Sequence, residues 1–175
     1  GVSLKGFAVA ITNRDDGVLH GADKRKSRGR LVSEMLFQPS MASALEYCVH
    51  ELCRGGFGGG NYLIADAKRA AVVHAPSGDN VTTEFLQPGL HVLTNLNIND
   101  PEDVRIQYVK ANLKVDNFNE SASVVLQSPE IIVNDEQWGT IASSIVLLGQ
   151  NDSKFLHVDG KPQNSVYDCY SRHLS

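Results

Sequence analysis

Short apolar runs that occur in pairs, each pair joined by a brief turn segment, constrain the fold of this chain more than any other sequence feature. The pairs are residues 61–66 with 70–75, 81–86 with 90–94, and 141–148 with 154–159. Two apolar runs of this length around a few turn residues are typical of an antiparallel hairpin. Since the runs do not alternate with helices one by one, we expect an α+β protein with antiparallel sheets rather than a parallel α/β fold.

A further apolar run lies near the start of the sequence, at residues 7–11, which read Phe-Ala-Val-Ala-Ile. An uninterrupted apolar run predicts a strand that is buried on both faces. Such a strand leaves a sheet edge to be covered, so we expect a segment upstream of Gly1 to complete the sheet.

Two helices are predicted between the first strand and the first hairpin. Residues 28–37 form the first, which Pro39 ends. The second has Ser40 or Ser43 as its cap, and Ser43 with Glu46 has the spacing of a capping box. Its apolar positions recur at helical period, so we expect one face to pack on a sheet.

Helical signals return after the second pair of runs. Asp100 is the predicted cap of a helix that has Pro101 at its first position and ends near residue 113. A shorter helical piece is predicted at residues 121–126. The tail from residue 161 to residue 175 is polar.

The composition is that of a folded globular protein. Hydrophobic residues make up 42% and charged residues 21% of the chain, close to the average for such proteins. A length of 175 residues suits one domain, so we expect a single domain over residues 1–175. The longest apolar stretches, such as residues 141–148, are shorter than the roughly 18 residues that a membrane span needs, and no span is expected.

Charge gives little reason to expect a nucleic-acid partner. The net charge is −4, which provides no general attraction to a phosphate backbone. The one locally basic cluster comprises Lys24, Arg25, Lys26, Arg28 and Arg30. It has no interleaved aromatic residues, and we interpret it as a solvated loop that leads into the first helix.

The chain has three cysteines, an odd number without the spacing of a disulfide framework. We therefore expect free thiols and a cytoplasmic or other reducing intracellular compartment. Cys48, His50 and Cys53 make a poor metal site, because positions two apart on a helix diverge and a fourth ligand is missing. We expect Cys48 in the core, and neither a metal nor a cofactor is predicted.

Asn95 is the most informative candidate for a functional residue. It ends the run at 89–95, Gly-Leu-His-Val-Leu-Thr-Asn. A carboxamide at a strand edge can stabilise the oxyanion that develops when a carbonyl is attacked. The alternative interpretation is ordinary turn chemistry, since Thr-Asn also occurs where a strand passes into a loop.

Five short motifs, in this order, resemble the NRDE family, which is also called the transport-and-Golgi-organisation 2 family. They are Gly-Phe-Ala-Val-Ala-Ile-Thr-Asn-Arg at 6–14, Ser-Arg-Gly-Arg-Leu-Val at 27–32, Gly-Asn-Tyr-Leu at 60–63, the run at 89–95, and Gly-Thr at 139–140 with Ser143 and Ser144. The resemblance spans roughly residues 1–150. It implies the four-layer αββα sandwich of N-terminal-nucleophile (Ntn) hydrolases, with antiparallel sheets, and a family N-terminal segment that this chain lacks.

The resemblance implies hydrolysis or acyl transfer on a small non-peptide amide. In that superfamily an N-terminal cysteine attacks the carbonyl, and its own amine serves as the base. Asn95 would be the oxyanion-hole donor, while Asn13 and Arg14 would orient the substrate. Ser143 and Ser144 are supporting candidates, although only one of two consecutive strand residues can face inward. Both serines are equally well explained as plain polar strand positions.

The chain departs from the family pattern where the chemistry would lie. Gly1 has no nucleophilic side chain, and Ser3 has a hydroxyl without the terminal amine. Ile141 stands where family members often have an arginine. The letters Asn-Arg-Asp-Asp at 13–16 imitate the family's name motif, but that motif belongs upstream. We therefore expect no nucleophile in this chain, which is either a piece of a longer product or a member that lost the chemistry.

A different function on the same scaffold is a non-catalytic binding or trafficking protein for a hydrophobic or haem-like ligand, which the resemblance also suggests. His74, His91 and His157 are the candidate axial ligands. A lone strand histidine is more often a satisfied core or edge residue than a ligand. A third possibility is a scaffold with protein partners only, such as an upstream segment or a second copy of the chain.

Overall fold

The computed structural model describes residues 1–14, 26–76, 80–135, 139–149, 153–163 and 165–170. In these ranges the protein has mixed α and β structure with antiparallel sheets, as the sequence predicts. It divides into two compact units, one from Gly1 to Ile98 and one that begins at Asn99. The expectation of a single domain over the whole chain stays a prediction.

The first unit is a five-stranded antiparallel sheet with two helices. Its strands, in sheet order, are β1 (Val2–Ser3), β2 (Phe7–Asn13), β3 (Gly60–Asp66), β4 (Ala70–Ala75) and β5 (Thr82–Leu86). The helices α1 (Arg28–Leu36) and α2 (Met41–Cys53) connect β2 to β3. The predicted hairpin of 61–66 with 70–75 is confirmed as β3 and β4.

The helices cover one face of this sheet. Side chains of alternate residues on the central strands, such as Phe7, Val9, Tyr62 and Ile64, are buried in one core with α1 and α2. The prediction that residues 7–11 are buried on both faces is wrong, because Ala10, on the opposite face, is exposed. Burial alternates along β2 because the helices pack against only one face.

Serine side chains cap both helices of the first unit. Ser27 accepts a hydrogen bond from the backbone N–H of Arg30, and Ser40 accepts one from that of Ser43. Ser40 is therefore the cap of α2. The alternative of a capping box from Ser43 to Glu46 is wrong, because the helix has already begun at Met41.

The predicted strand at residues 90–94 does not form. The backbone after β5 is irregular through this stretch, and Gly89 has a φ of 150°, which redirects the chain after the Pro-Gly turn. At the end of the stretch the Thr94 carbonyl accepts hydrogen bonds from the side chains of Thr12 and Asn61. Side-chain donors from β2 and β3 therefore bind the end of this segment, and the predicted pairing of residues 90–94 with β5 is absent.

The second unit combines helices with a three-stranded antiparallel sheet. Its helices are α3 (Val104–Asn112) and α4 (Phe118–Leu126), and its strands are β6 (Ala142–Leu147), β7 (Lys154–Asp159) and β8 (Asp168–Cys169). The predicted pairing of 141–148 with 154–159 is confirmed. The tail contributes β8, which its polar composition did not predict.

Asp103, and not Asp100, caps α3. The Asp103 carboxylate accepts a hydrogen bond from the backbone N–H of Arg105 at 2.8 Å. The Asp100 carboxylate accepts one from the backbone N–H of Glu102 at 3.0 Å and so stabilises the preceding turn. Two acidic residues three positions apart offered two caps, and the sequence pattern alone favoured the wrong one.

None of the helices in the described ranges is long and apolar enough to cross a membrane. The longest of them, α2, has 13 residues.

Candidate functional site

A row of polar side chains crosses the first sheet on the face opposite α1 and α2. Thr12, Asn61, His74 and Thr82 are direct cross-strand partners on β2, β3, β4 and β5. Because direct partners in an antiparallel sheet point to the same face, these side chains lie side by side near the sheet end where β2 finishes.

Asn61 is the centre of this row, and its side chain is fully buried. Its Nδ2 donates to the carbonyl of Leu96 at 2.9 Å, the carbonyl of Thr94 at 3.3 Å and the hydroxyl of Thr12 at 3.3 Å. The Thr12 hydroxyl in turn donates to the Thr94 carbonyl at 2.6 Å. The segment at 94–96 is thereby attached to β2 and β3 by partly buried hydrogen bonds.

The other end of the Asn61 carboxamide contacts two basic side chains. Its Oδ1 accepts from Arg14 Nη1 at 3.2 Å and lies 2.9 Å from His74 Nδ1. Since a carboxamide oxygen can only accept, His74 carries its proton on Nδ1, and Nε2 keeps the lone pair.

His74 is neutral at pH 7. Burial lowers the pKa of His74, and the positive charge of Arg14 lowers it further, while the Glu84 carboxylate acts in the opposite direction. The Glu84 carboxylate lies 3.8 Å from His74 Nε2. A neutral imidazole with a defined tautomer can accept a proton or a hydrogen bond at Nε2.

Three predicted site residues, Asn13, Arg14 and Asn95, meet where β2 ends. Asn95 Nδ2 donates to the backbone carbonyl of Asn13 at 2.9 Å. Arg14 Nη2 donates to the side-chain oxygen of Asn97 at 2.8 Å, two positions further along the same segment. A carboxamide has two N–H donors, so Asn95 keeps a second donor beyond the one given to Asn13.

A cavity of about 400 Å³ adjoins this point on the helix side of the sheet. Its lining comprises Ile11, Asn13, Lys26, Ser27, Arg28, Gly29 and Gly58. The neighbouring Gly59 carbonyl accepts from the backbone N–H of Arg14 at 3.1 Å and from Arg28 Nη1 at 2.5 Å. One carbonyl therefore links the two arginines that flank Asn13.

Ser143 and Ser144 lie on β6 in the second unit. Ser143 Oγ is 2.7 Å from the Tyr167 hydroxyl, and Ser144 Oγ is 2.8 Å from His157 Nδ1. Consecutive strand positions place the two serines on opposite faces. Their hydrogen bonds are to residues of their own unit, and the site of Asn13, Arg14 and Asn95 is built without them.

The other two candidate histidines also have partners. His91 Nε2 lies 2.7 Å from the carbonyl of Gln87, which makes this nitrogen a donor. The ring of His157 stacks on Phe155 with centroids 5.8 Å apart. The cavity beside Asn13 and a second one of about 520 Å³ between α1 and α2 are both lined without any of the three histidines.

Sequence reasoning missed the residues that hold the site together. From the sequence, Asn61 is predicted only to start a strand, and no site role is predicted for Thr12, Asn97 or Arg28. A polar residue within an otherwise apolar strand run, as Asn61 is, was the available signal. The contacts of Asn61 depend on the segment at 94–96, which lies more than thirty residues further along the chain.

The three cysteines are a further class of reactive group in this chain. Cys48 is buried, and burial raises the pKa of its thiol to about 12. Cys53 and Cys169 are exposed, and none of the three cysteines is in a disulfide. In the described ranges, no three His, Cys, Asp or Glu side chains are grouped as a metal site.

Comparison with protein-family models finds no match for this chain, and comparison with curated proteins finds none either. The fold and site define a mixed α+β protein with antiparallel sheets that carries a buried carboxamide network at one sheet end. The resemblance to the NRDE family stays a prediction.

Proposed function

We propose that this chain carries the carbonyl-binding part of an Ntn-type amide hydrolase or acyltransferase that acts on a small non-peptide amide. The observation that carries the proposal is the meeting of Asn95, Asn13 and Arg14 at one sheet end. These are the residues to which the family resemblance assigns oxyanion stabilisation and substrate orientation. The nucleophile in this proposal comes from a residue outside the 175-residue sequence.

Asn95 is the oxyanion donor in this scheme. Its second N–H donates to the oxygen of the tetrahedral intermediate, while the first is held by the Asn13 carbonyl. A donor fixed before reaction stabilises the transition state without reorganisation. The hydrogen bonds from Asn61 to the carbonyls on either side of Asn95 provide that fixation.

Among the described residues, neither the Thr12 hydroxyl nor the Cys48 thiol is available as the nucleophile. The Thr12 hydroxyl is engaged with the Thr94 carbonyl and with Asn61, and Cys48 is a buried thiol with a raised pKa. An N-terminal cysteine on an upstream segment would complete the site. The four-layer αββα sandwich and a reducing intracellular compartment belong to the same proposal, supported by the antiparallel sheets and by three cysteines that form no disulfide.

The N-terminus of the protein made by its natural source tests this proposal. Intact mass and N-terminal sequencing would establish whether an upstream segment begins with Cys, Ser or Thr. We expect a Cys start, hydrolysis of members of a panel of small amides, and loss of that hydrolysis after thiol alkylation. A natural product without such a residue, and without activity on the panel, would overturn the hydrolase proposal.

The role of Asn95 is tested in the natural product by Asn95→Ala. We expect kcat to fall by about 10²–10³, the usual cost of removing one oxyanion donor. Asn112→Ala is the matched control, since Asn112 is an exposed carboxamide that bonds only within α3. Equal kcat values for the two variants would contradict the assigned role.

A second candidate function is binding of a hydrophobic or haem-like ligand without catalysis. The observation that favours it is the neutral imidazole of His74, whose Nδ1–H is held by Asn61 and whose Nε2 has a lone pair. His74 lines neither of the two cavities described above, and the Glu84 carboxylate lies 3.8 Å from its Nε2, which opposes this second candidate. A haem titration of His74→Ala that left the Soret band unchanged would reject His74 as an axial ligand.

A further inference from the structure

Ser144, His157 and Asp168 form one row across the three-stranded sheet of the second unit. Ser144 on β6 is the direct cross-strand partner of His157 on β7, and His157 is the direct partner of Asp168 on β8. Because direct partners in an antiparallel sheet point to the same face, the three side chains lie in line. Ser144 and Asp168 are exposed and His157 is half-buried, so solvent reaches this row.

The hydrogen-bond pattern of the sheet brings Ser144 and His157 close together. The backbone N–H of Gly160 donates to the carbonyl of Ile141, its facing residue, at 2.9 Å. Hydrogen-bonded and non-hydrogen-bonded pairs alternate along an antiparallel ladder. Ser144 and His157, three positions further in, therefore form a non-hydrogen-bonded pair, the kind in which facing side chains approach most closely. Ser144 Oγ accordingly lies 2.8 Å from His157 Nδ1.

The same alternation directs the backbone N–H of Ser144 away from β7. Since β6 is the terminal strand in the sheet order β6-β7-β8, this N–H points to the outer edge of the sheet. In serine hydrolases, the backbone N–H of the nucleophilic serine is one of the donors that stabilise the oxyanion. Ser144 therefore combines a hydroxyl at hydrogen-bond distance from an imidazole with a backbone donor beside it.

Aromatic contacts orient the imidazole of His157. Its ring stacks on that of Phe155, with the centroids 5.8 Å apart and 12° between the planes. The ring of Tyr170 contacts it edge-on, with the centroids 6.3 Å apart. A hydroxyl bonded to a base that other groups orient is the arrangement by which activated serines are recognised.

Asp168 supplies a negative charge on the other side of His157. Ser144 and Asp168 lie on the two strands that flank β7, so the hydroxyl and the carboxylate are on opposite sides of the imidazole. A carboxylate placed in this way stabilises the imidazolium that forms when the base takes up the proton of the serine. The row therefore contains the three groups of a serine-hydrolase triad in the order in which they act.

We propose that Ser144, His157 and Asp168 form an esterase site on the exposed face of this sheet. Ser144 Oγ attacks the ester carbonyl, its proton passes to His157 Nδ1, and the bond from the carbonyl carbon to the leaving oxygen breaks. The leaving group takes the proton from His157 and departs as an alcohol or phenol. Water, deprotonated by His157, then releases the acyl group from Ser144 as a carboxylic acid. The site uses no residue of the Asn95 network, so its test is independent of the proposed amide hydrolysis.

The rings beside the row indicate the class of ester. Phe155, His157 and Tyr170 contact one another with centroids 5.8–6.3 Å apart, and Tyr170 is 55% exposed. Flat aromatic groups stack on such rings. The substrates are therefore aryl esters, whose aromatic leaving group lies on the rings while the carbonyl lies over Ser144. An exposed sheet face surrounds a ligand less completely than a pocket does, so we expect a KM of about 1 mM or higher.

A fluorophosphonate probe tests the site in the full 175-residue chain. Such probes react with serines that a neighbouring base activates and leave ordinary serines unlabelled. We expect the probe on Ser144, located by peptide mass spectrometry, and we expect turnover of p-nitrophenyl acetate that stops after labelling. Labelling of other residues only, or no labelling, would overturn the proposal. This measurement is made on the wild type and needs no variant to fold.

Variants assign the roles within the row. Ser144→Ala and His157→Gln should each abolish labelling and lower the rate of p-nitrophenyl acetate hydrolysis about 10²-fold, and Asp168→Asn should lower it less. Ser143→Ala is the matched control, because Ser143 is the preceding residue of β6, on the opposite face, and is hydrogen-bonded to Tyr167. It should keep both labelling and rate. Labelling of Ser144 that persists in His157→Gln would contradict the role of His157.

Tyr170→Ala tests the substrate class. Removing the exposed ring should raise the KM for p-nitrophenyl acetate several-fold and change kcat little, because the leaving group loses the same contact in the ground state and the transition state. Fluorophosphonate labelling of Ser144 should remain in this variant. An unchanged KM would overturn the aryl-ester class and leave the hydrolytic site standing.

Discussion

At the residue scale, the carboxamide of Asn61 has the largest structural effect. It is fully buried and bonds to both the sheet and the segment that carries Asn95. Removing one partner of a buried hydrogen bond costs more free energy than the bond contributes, because the remaining polar group stays buried without a partner. We therefore expect the buried polar atoms at this sheet end to contribute more to the free energy of unfolding than its surface charges do.

The first residue-scale prediction concerns Asn61→Ala. The carbonyls of Thr94 and Leu96 would lose their side-chain donor, so we expect the free energy of unfolding to fall by about 2–3 kcal/mol. Denaturant unfolding measures the change. Asn112→Ala, at an exposed position, should change it by less than about 0.5 kcal/mol, and similar losses for both variants would argue against the network.

The second residue-scale prediction concerns Tyr62→Phe. The Tyr62 hydroxyl is buried and has no hydrogen-bond partner among the described residues, and burial raises its pKa. Deleting an unsatisfied hydroxyl should leave the free energy of unfolding unchanged or raise it by about 1 kcal/mol. Tyr47→Phe is the contrasting variant, since the Tyr47 hydroxyl donates to Glu34 at 3.0 Å. A clear loss of stability in Tyr62→Phe would reveal an unseen partner for the hydroxyl.

At the element scale, the positions of α1 and α2 depend on serine caps and on one apolar face each. Leu31 and Met35 of α1, and Ala44 and Cys48 of α2, recur at three or four residue intervals and are buried against the sheet. The start of α1 positions Arg28 beside Asn13, because Ser27 caps the helix there. Local capping thus determines where a charged group of the candidate site lies.

The element-scale prediction distinguishes the two possible caps of α2. Ser40→Ala removes the acceptor for the backbone N–H of Ser43, and we expect the free energy of unfolding to fall by about 1 kcal/mol. Glu46→Ala, which would break a capping box begun at Ser43, should have little effect because Glu46 is exposed inside the helix. Chemical unfolding of both variants measures the difference, and a larger effect of Glu46→Ala would restore the capping-box assignment.

At the scale of the whole molecule, the charge distribution links stability to pH through His74. The groups that face His74 are Asn61, Arg14 and Glu84. Burial and Arg14 lower the folded-state pKa of His74 below its unfolded value of about 6.5. The unfolded chain therefore binds more protons between these two pKa values, and stability rises with pH in that interval.

The whole-molecule prediction concerns this rise of stability with pH. The contribution of His74 to stability should be fully present above about pH 6.5 and should be lost as the pH falls through 6.5 toward the folded-state pKa. Urea unfolding between about pH 5.5 and pH 7.5 measures it for the wild type and for His74→Gln, which should lack this slope. Identical slopes in the two proteins would show that His74 does not titrate as inferred.

The sequence by itself determined the α+β class, the β3–β4 and β6–β7 hairpins and the presence of α1 to α4, because hydrophobic period and turn residues are local properties. It also pointed to Asn13, Arg14 and Asn95. Only the tertiary structure decided that residues 90–94 are not a strand, that Ser40 and Asp103 are the caps, and that Asn61 joins β3 to the segment of Asn95. The physical reason is that competing local options differ by about 1 kcal/mol, so contacts between residues far apart in the chain select among them.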